Sequence, residues 1–311
     1  MTTFGDQVFE FGGSPVSGGR FSTPFANHWF VDGINGKAGN SGTRPDHAFS
    51  TIQAAVTAAG RNDVIYVNPH TWTIGSGFTR YEEDVTVTSG VSGTDMLHSN
   101  ISLIGISTPG ATGDFLGVRW KHATATNLTV EAPAFHVENI GFFSEGATYA
   151  VLLSHDGAAD TKRGSQGTSF YNCAFKGKGL YVLYGGDGLT VEKCRFQCSS
   201  GGTVAQLYYS SSLHPGRRLT VRNCEWLDGN GTVSSGPCIH ILPPTTEILI
   251  RDCYFPQVPT GNAYISAAGG NEGLIANCHF ATSDLSTTGY VEGDALIAAA
   301  MYDYTGIQTS T

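Results

Sequence analysis

The sequence is short of charged residues, and most of those it has are acidic. Asp, Glu, Lys and Arg make up 14% of the 311 residues, against roughly a quarter in an average soluble domain. Lys and Arg number 17, whereas Asp and Glu number 26. Because a protein that binds a phosphate backbone needs a basic stripe, this balance argues against nucleic acid as a partner.

Long apolar runs and a secretory leader are also missing. No apolar stretch approaches the roughly 18 residues of a membrane span, so we predict no membrane insertion. Residues 1–7 lack the basic and apolar regions of a signal peptide, so we expect no secretion by that route. The 7 cysteines are odd in number, which favours free thiols over a disulfide framework.

Glycine is abundant, with 41 residues, a share about twice the average. Glycine, serine and threonine weaken helices, so this composition argues against a helical protein. The apolar content of 40% and aromatic content of 11% argue against disorder. The composition therefore predicts an all-β protein built from many short strands joined by turns.

A repeat organises the chain. Six segments share the pattern apolar-x-apolar-x-Asn-Cys-x-aromatic, where x is any residue, at residues 135–142, 168–175, 189–196, 219–226, 248–255 and 273–280. The last position, the aromatic column, holds Phe142, Phe175, Phe196, Trp226, Phe255 and Phe280. The position two before it, the Cys column, holds Ile140 and then Cys173, Cys194, Cys224, Cys253 and Cys278. The position before that, the Asn column, holds Asn139, Asn172, Lys193, Asn223, Asp252 and Asn277.

The alternation between these columns predicts side chains that point inward on either side of a sharp bend. The Cys and aromatic positions are constant in type while the residue between them varies, as expected for a strand with one buried face. Asn and Asp tolerate a left-handed backbone, which lets the strand turn a corner. A constant core with connections of variable length is typical of a solenoid. We therefore predict a right-handed single-stranded parallel β-helix in which the three columns form structural ladders.

The Cys column has two interpretations, buried small hydrophobes or a metal or redox site. Ligands on one ladder of parallel strands do not converge into a tetrahedron, and no inward His or acid accompanies them. The sequence therefore favours the structural interpretation, with no metal and no cofactor.

The β-helix is predicted over residues 63–285, preceded by an entry loop and a capping helix over 31–62. Ser50 and Gln53 suit a capping box, and the apolar face of this helix is predicted at Ile52, Ala55, Val56 and Ala59. Residues 1–30 are rich in Gly and Phe and are predicted to dock on a partner. Residues 286–311 are treated as a C-terminal tail.

The repeats, the Asn column and the capped start resemble the pectate-lyase-like β-helix superfamily. The stretch 30–69 resembles the entry module of such proteins, many of them encoded by phages, and the likeness covers roughly residues 30–285. The leader FGDQVFEFGGSPVSGGRF, residues 4–21, resembles the virion-attachment segments of phage structural proteins. The resemblance implies attachment to other virion proteins of the capsid or tail through residues 1–30. It leaves the function open, because this fold hosts both enzymes and non-catalytic virion proteins.

A polysaccharide-cleaving enzyme of this kind needs carboxylates clustered on one outer sheet face. The outward positions of the strands before each repeat are assigned to Leu152, Tyr181, Tyr208, His240 and Tyr264, and contain no acid. The neighbours Glu192 with Arg222, and Arg195 with Glu225, are interpreted as cross-strand pairs on a solvated face. This distribution favours a non-enzymatic protein.

We therefore expect a phage virion protein, made in the host cytoplasm, that decorates or cements the capsid or forms a short tail appendage, as a homotrimer. The alternative is a tailspike-type depolymerase, a polysaccharide lyase or glycosidase, with its chemistry in a charged loop at Asp156, Asp160, Lys162 and Arg163. A third feature is a row of outward aromatic residues suited to a surface glycan or a neighbouring subunit, namely Tyr181, Tyr208, His240 and Tyr264.

Overall fold

The computed structural model describes most of the region from residue 26 to residue 280. The described ranges are 26–69, 81–89, 98–106, 117–144, 149–155, 164–184, 186–197, 205–210, 216–227, 236–242, 244–255, 263–267 and 269–280. Outside them, only strand positions are described, at 10–11, 14–15, 72–73, 77–78, 291–292, 296–299, 301–302 and 308–309.

Three long sheets form the fold. Sheet A has eight strands: Val85–Thr88, Leu128–Glu131, Val151–Leu153, Leu180–Val182, Leu207–Tyr209, Ile239–Ile241, Ile265–Ala267 and Val291–Glu292. Sheet B has ten: His28–Val31, Val64–Val67, Ser102–Gly105, His136–Glu138, Ser169–Tyr171, Thr190–Glu192, Thr220–Arg222, Ile248–Arg251, Gly273–Ala276 and Leu296–Ala299. Sheet C has nine: Val118–His122, Ile140–Ser144, Ala174–Lys176, Arg195–Gln197, Glu225–Leu227, Tyr254–Phe255, His279–Phe280, Met301–Tyr302 and Gln308–Thr309. Two small antiparallel pairs join Glu10–Phe11 to Ser14–Pro15 and Trp72–Thr73 to Gly77–Phe78.

From Val85 to Tyr302, each coil contributes one strand to each sheet in the order A, B, C, and equivalent strands pair in parallel with the next coil. Within the three sheets, the last pair of sheet C, Met301–Tyr302 with Gln308–Thr309, is antiparallel. The chain is thus a right-handed parallel β-helix, as the repeat predicts. Sheet B also has strands before and after residues 63–285, the predicted range of the β-helix. His28–Val31 pairs with Val64–Val67, and Leu296–Ala299 pairs with Gly273–Ala276.

The Asn column makes the corner between sheets B and C. All six of its residues have a left-handed backbone, with φ between 50° and 59°. Where two amides are adjacent they bond along the stack, and Asn172 Nδ2 donates to Asn139 Oδ1 at 2.7 Å. The next residue on each coil belongs to the buried Cys column, whose thiols donate to backbone carbonyls. Burial raises the pKa of the Cys194 thiol, which suits an inert packing role.

The aromatic column lies inside sheet C as one continuous stack. Consecutive ring centroids from Phe142 to Phe280 are 4.6–5.5 Å apart. Trp120, on the preceding coil, extends the stack at 5.6 Å from Phe142. The sequence pattern does not include Trp120, because its segment lacks the Asn and Cys positions.

A second left-handed column makes the corner between sheets A and B. It lies two residues before the in-register start of the sheet B strands and consists of Asn62, Asn100, Ala134, Gly167, Gly188, Arg218 and Glu247. Backbone bonds run along it, for example from Ala134 N to Gln166 O at 2.6 Å. Two of the seven are Asn and two are Gly, which favour this backbone, but Ala134, Arg218 and Glu247 do not, so the column forms no visible sequence motif.

The capping helix spans Ile52–Ala58 and buries the predicted apolar face against the first strands of sheets A and B. The predicted capping box is wrong. The helix begins one residue later, with Thr51 as its cap, and the side chain of Gln53 accepts from Thr86 N instead. The carboxylate of Glu83 accepts from Ile52 N and Gln53 N, both at 2.8 Å. No helix in the described part of the chain is long and apolar enough to cross a membrane.

Glu83→Gln is expected to change how stability depends on pH. Burial raises the pKa of the Glu83 carboxyl, against the lowering effect of the two backbone N–H bonds. A carboxyl whose pKa is higher in the folded state than its unfolded value of about 4.3 stabilises most below that value, and this contribution is lost as pH rises through the folded pKa. Wild type should therefore lose stability relative to Glu83→Gln as pH rises from about 4 towards neutrality. Denaturant unfolding of both proteins across this range measures the difference, and a constant difference would contradict the assignment.

Candidate functional site

The outer face of sheet A carries a strip of stacked aromatic rings. Tyr181, Tyr208 and His240 occupy one register position on three successive strands. Their ring centroids are 5.1 Å and 5.3 Å apart, and all three are half-buried. Three members of the predicted row are thus adjacent on one face.

Tyr149 adds a fourth ring that the sequence analysis missed. It lies in the turn before Val151–Leu153, with its ring 4.9 Å from that of Tyr181 and 6.1 Å from that of Tyr208. Burial raises the pKa of the Tyr149 hydroxyl well above its usual value, and the nearby hydroxyls of Tyr208 and Tyr181 add to the effect. The aromatic strip is defined as Tyr149, Tyr181, Tyr208 and His240.

The predicted outward position of Tyr264 is wrong. Tyr264 is 1% exposed, and its ring packs edge-on against Phe255 and Phe280 at 5.9 Å and 4.9 Å. Ser266 takes the outward position next to His240. Tyr264 precedes the strand Ile265–Ala267 and lies in a corner that faces the core, so the in–out alternation begins only with the strand itself. Gln206 and Cys238, which precede their sheet A strands in the same way, are also buried.

The fallback catalytic residues of the enzyme hypothesis, Asp156, Asp160, Lys162 and Arg163, lie outside the described residues. The outward row of sheet A that contains the aromatic strip runs through Thr86, Thr129, Leu152, Tyr181, Tyr208, His240 and Ser266, and it has no carboxylate over that stretch.

The outer face of sheet B carries a pocket of about 280 Å³, which the sequence analysis did not predict. It is lined by His136, Gly167, Ser169, Phe170, Tyr171, Thr190, Glu192 and Arg222. Glu192 pairs with Arg222 Nη2 at 2.7 Å, and Arg195 pairs with Glu225 at 3.2 Å. Both predicted cross-strand pairs are therefore present. Glu192 is 7% exposed, so its surroundings are buried rather than solvated.

His136 and Ser169, which line this pocket, form a chain of contacts with Glu138. His136 Nδ1 is 2.8 Å from Ser169 Oγ, and His136 Nε2 is 3.4 Å from Glu138 Oε2. His136 and Glu138 are on one strand, and Ser169 is the register partner of His136 on the next coil. His136 and Ser169 are the second residues of the aligned repeats 135–142 and 168–175, so the repeat alignment implies that they stack on neighbouring coils. The residue type at this position varies from repeat to repeat, so the pair forms no visible motif. No group of three or more His, Cys, Asp or Glu residues suited to a metal ion occurs among the described positions.

No known family model matches the sequence, and no curated protein matches it. Solved structures share its fold. A pectin methylesterase from Aspergillus niger has a TM-score of 0.53 at 15% identity, with 89% of this chain and 84% of that chain covered. The pectin methylesterase PemA from Erwinia chrysanthemi has a TM-score of 0.52 at 14% identity, with 91% of both chains covered. The ORF18 protein of Geobacillus virus E2 has a TM-score of 0.44 at 13% identity, with 82% of this chain and 57% of that chain covered.

The class that these observations define is the right-handed parallel β-helix protein. At such low identities the likeness extends to the fold alone, and the function has to be argued from the two sheet faces of this chain.

Proposed function

We propose that this chain is a structural protein of a phage virion, a β-helix that decorates or cements the capsid or forms a short tail appendage, and that its aromatic strip binds a surface glycan. The observation that carries the binding role is the aromatic strip itself, four adjacent half-buried rings on the outer face of sheet A. The virion assignment is supported by the resemblance of residues 4–21 to the virion-attachment segments of phage structural proteins, and of residues 30–69 to the entry module of β-helix proteins, many of them encoded by phages.

The arrangement of the aromatic strip suits binding rather than cleavage of a polysaccharide. Because the rings stack on one another, the strip presents mainly apolar ring edges with polar groups among them, and this mixed surface suits a sugar. Cleavage of a glycosidic bond needs two carboxylates flanking it, and the outward row through Tyr181 and Tyr208 has none between Thr86 and Ser266. The stacked side chains of the core beneath sheet A support this face.

Tyr208→Ala is expected to weaken glycan binding about tenfold, because it removes the ring that contacts Tyr149, Tyr181 and His240. Binding to a panel of bacterial surface polysaccharides can be measured by calorimetry. Tyr254→Ala is the matched control, since Tyr254 is 47% exposed on sheet C. Equal affinity of wild type and Tyr208→Ala for every polysaccharide bound would contradict the assignment. If Tyr208→Ala dissociates into monomers, the aromatic strip is a contact between subunits instead.

The virion role predicts that the protein is present in purified particles. Mass spectrometry of particles should detect it, and light scattering of the free protein should give three times the mass of one chain. A variant that lacks residues 1–25 should fail to attach to particles, although it keeps Asn27 and the strand His28–Val31 that complete the first coil. A monomer that neither binds particles nor occurs in them would overturn the proposal.

The depolymerase remains the alternative function. Release of reducing or unsaturated ends from a polysaccharide, lost on replacement of Asp156, Asp160 or Lys162, would favour it.

A further inference from the structure

We propose that Ser169, His136 and Glu138 form a nucleophile–base–carboxylate triad that hydrolyses a small carboxylic ester bound in the pocket on sheet B. The site lies on a different sheet from the aromatic strip, and it depends neither on the virion role nor on glycan binding.

The hydrogen-bond contacts of His136 fit one tautomer of the neutral imidazole. An ionised carboxylate only accepts hydrogen bonds, so the contact of Glu138 Oε2 with His136 Nε2 requires the proton on Nε2. In the neutral imidazole with that proton, the lone pair is on Nδ1, where the Ser169 hydroxyl, 2.8 Å away, can donate to it. A neutral imidazole that accepts from a hydroxyl is the state a general base needs. The two ring nitrogens have exchanged roles relative to the serine protease template, but both can carry out the same proton transfer.

The three side chains differ in burial in the way that a catalytic triad requires. His136 and Glu138 are 3% and 5% exposed, whereas Ser169 is half-buried and lines the pocket. Asn139 Nδ2 donates to the other oxygen of Glu138 at 3.4 Å, and Asn139 itself accepts from Asn172. The Asn column therefore helps to hold the carboxylate in place. The base and its carboxylate are sheltered while the hydroxyl can reach a ligand.

The pocket also contains hydrogen-bond donors for a developing oxyanion. Arg222 lines it with a guanidinium whose Nη2 binds Glu192 at 2.7 Å. Thr190, the register partner of Ser169 on the next coil, adds a hydroxyl to the lining. Fixed donors of this kind stabilise the negative charge that forms on an ester carbonyl oxygen.

The reaction balances with water as the second reactant. Ser169 Oγ attacks the carbonyl carbon while its proton passes to His136 Nδ1, and the carbonyl electron pair moves to the oxygen. The tetrahedral intermediate collapses, the bond to the alcohol oxygen breaks, and His136 returns the proton to the departing alcohol. Water then attacks the acyl group on Ser169 and gives a proton to His136, which passes it to Ser169 Oγ as the acid leaves.

The test uses the full chain with a fluorophosphonate probe and p-nitrophenyl acetate. We expect one adduct on Ser169, formed by an Oγ–P bond with loss of fluoride, and hydrolysis of the acetate ester. Ser169→Ala should abolish both, and His136→Gln and Glu138→Gln should each slow labelling by about 100-fold or more. Ser41→Ala, at an exposed serine in the entry loop, should behave as wild type.

Circular dichroism and melting curves establish that each variant keeps the fold. An unlabelled wild type, labelling that survives in Ser169→Ala, or a folded His136→Gln variant labelled at the wild-type rate would each overturn the proposal. These outcomes do not affect the virion role, which is tested on particles.

Discussion

Trp226→Ala is expected to lower the free energy of unfolding by about 3–5 kcal/mol, the range for truncation of a large buried aromatic residue. Trp226 is 1% exposed and lies between Phe196 and Phe255, with centroid distances of 4.8 Å and 4.6 Å. Its removal leaves a cavity and deprives both neighbours of a stacking partner. Chemical denaturation monitored by circular dichroism measures the loss.

Trp226→Phe is the matched control, and it should be nearly neutral or stabilising. Five members of the same stack are already Phe, so the smaller ring fits the ladder. Trp226 Nε1 is buried without an acceptor among the described residues, and a buried unsatisfied donor costs about 1–3 kcal/mol. Phenylalanine removes that donor while it keeps the stacking. A loss in Trp226→Phe as large as in Trp226→Ala would contradict this account.

The corner and stack of the repeated segments could be predicted because side-chain chemistry alone determines them. A left-handed corner selects Asn or Asp, and in-register stacking selects aromatics, so both columns are visible in the sequence. Lys193 shows the limit of this rule. It adopts the same left-handed backbone with φ 54°, and its ammonium donates to the Tyr171 hydroxyl at 2.7 Å. Here the neighbouring coils impose the conformation on a residue that does not favour it.

The second corner is not visible as a sequence motif, because backbone bonds between coils fix it. The pocket is not visible as one either, because the residues at its positions differ in type from repeat to repeat. Ala134, Arg218 and Glu247 adopt left-handed backbone with no side-chain preference for it, since the backbone bonds to adjacent coils fix the turn. His136 and Ser169 are both the second residue of their repeats, so the alignment places them side by side, but nothing in their residue types marks the contact as a site. The prediction that Tyr264 points outward is wrong because the corner before its strand interrupts the in–out alternation.

Asp63→Ala is expected to lower the free energy of unfolding by about 3–5 kcal/mol, with the damage confined to the first coil. Asp63 is 2% exposed, and its carboxylate accepts four hydrogen bonds of 2.7–3.1 Å. The donors are Asn27 N, Asn27 Nδ2, Trp29 Nε1 and Gly60 N. Alanine leaves all four without this acceptor, so the strand His28–Val31 and the turn after the capping helix lose their shared anchor.

Asp63→Asn distinguishes this anchor from simple packing. The amide has nearly the same shape but only one acceptor oxygen, so two donors keep a partner while the other two face an NH₂ group. Its loss of stability should therefore be roughly half that of alanine. Hydrogen exchange should accelerate at residues 28–31 and 60–64 in both variants and stay unchanged in the strands around Trp226, because each coil of a solenoid contacts only its neighbours. Equal losses in the two variants, or faster exchange along the whole helix, would mean that Asp63 stabilises the fold by packing rather than by binding these donors.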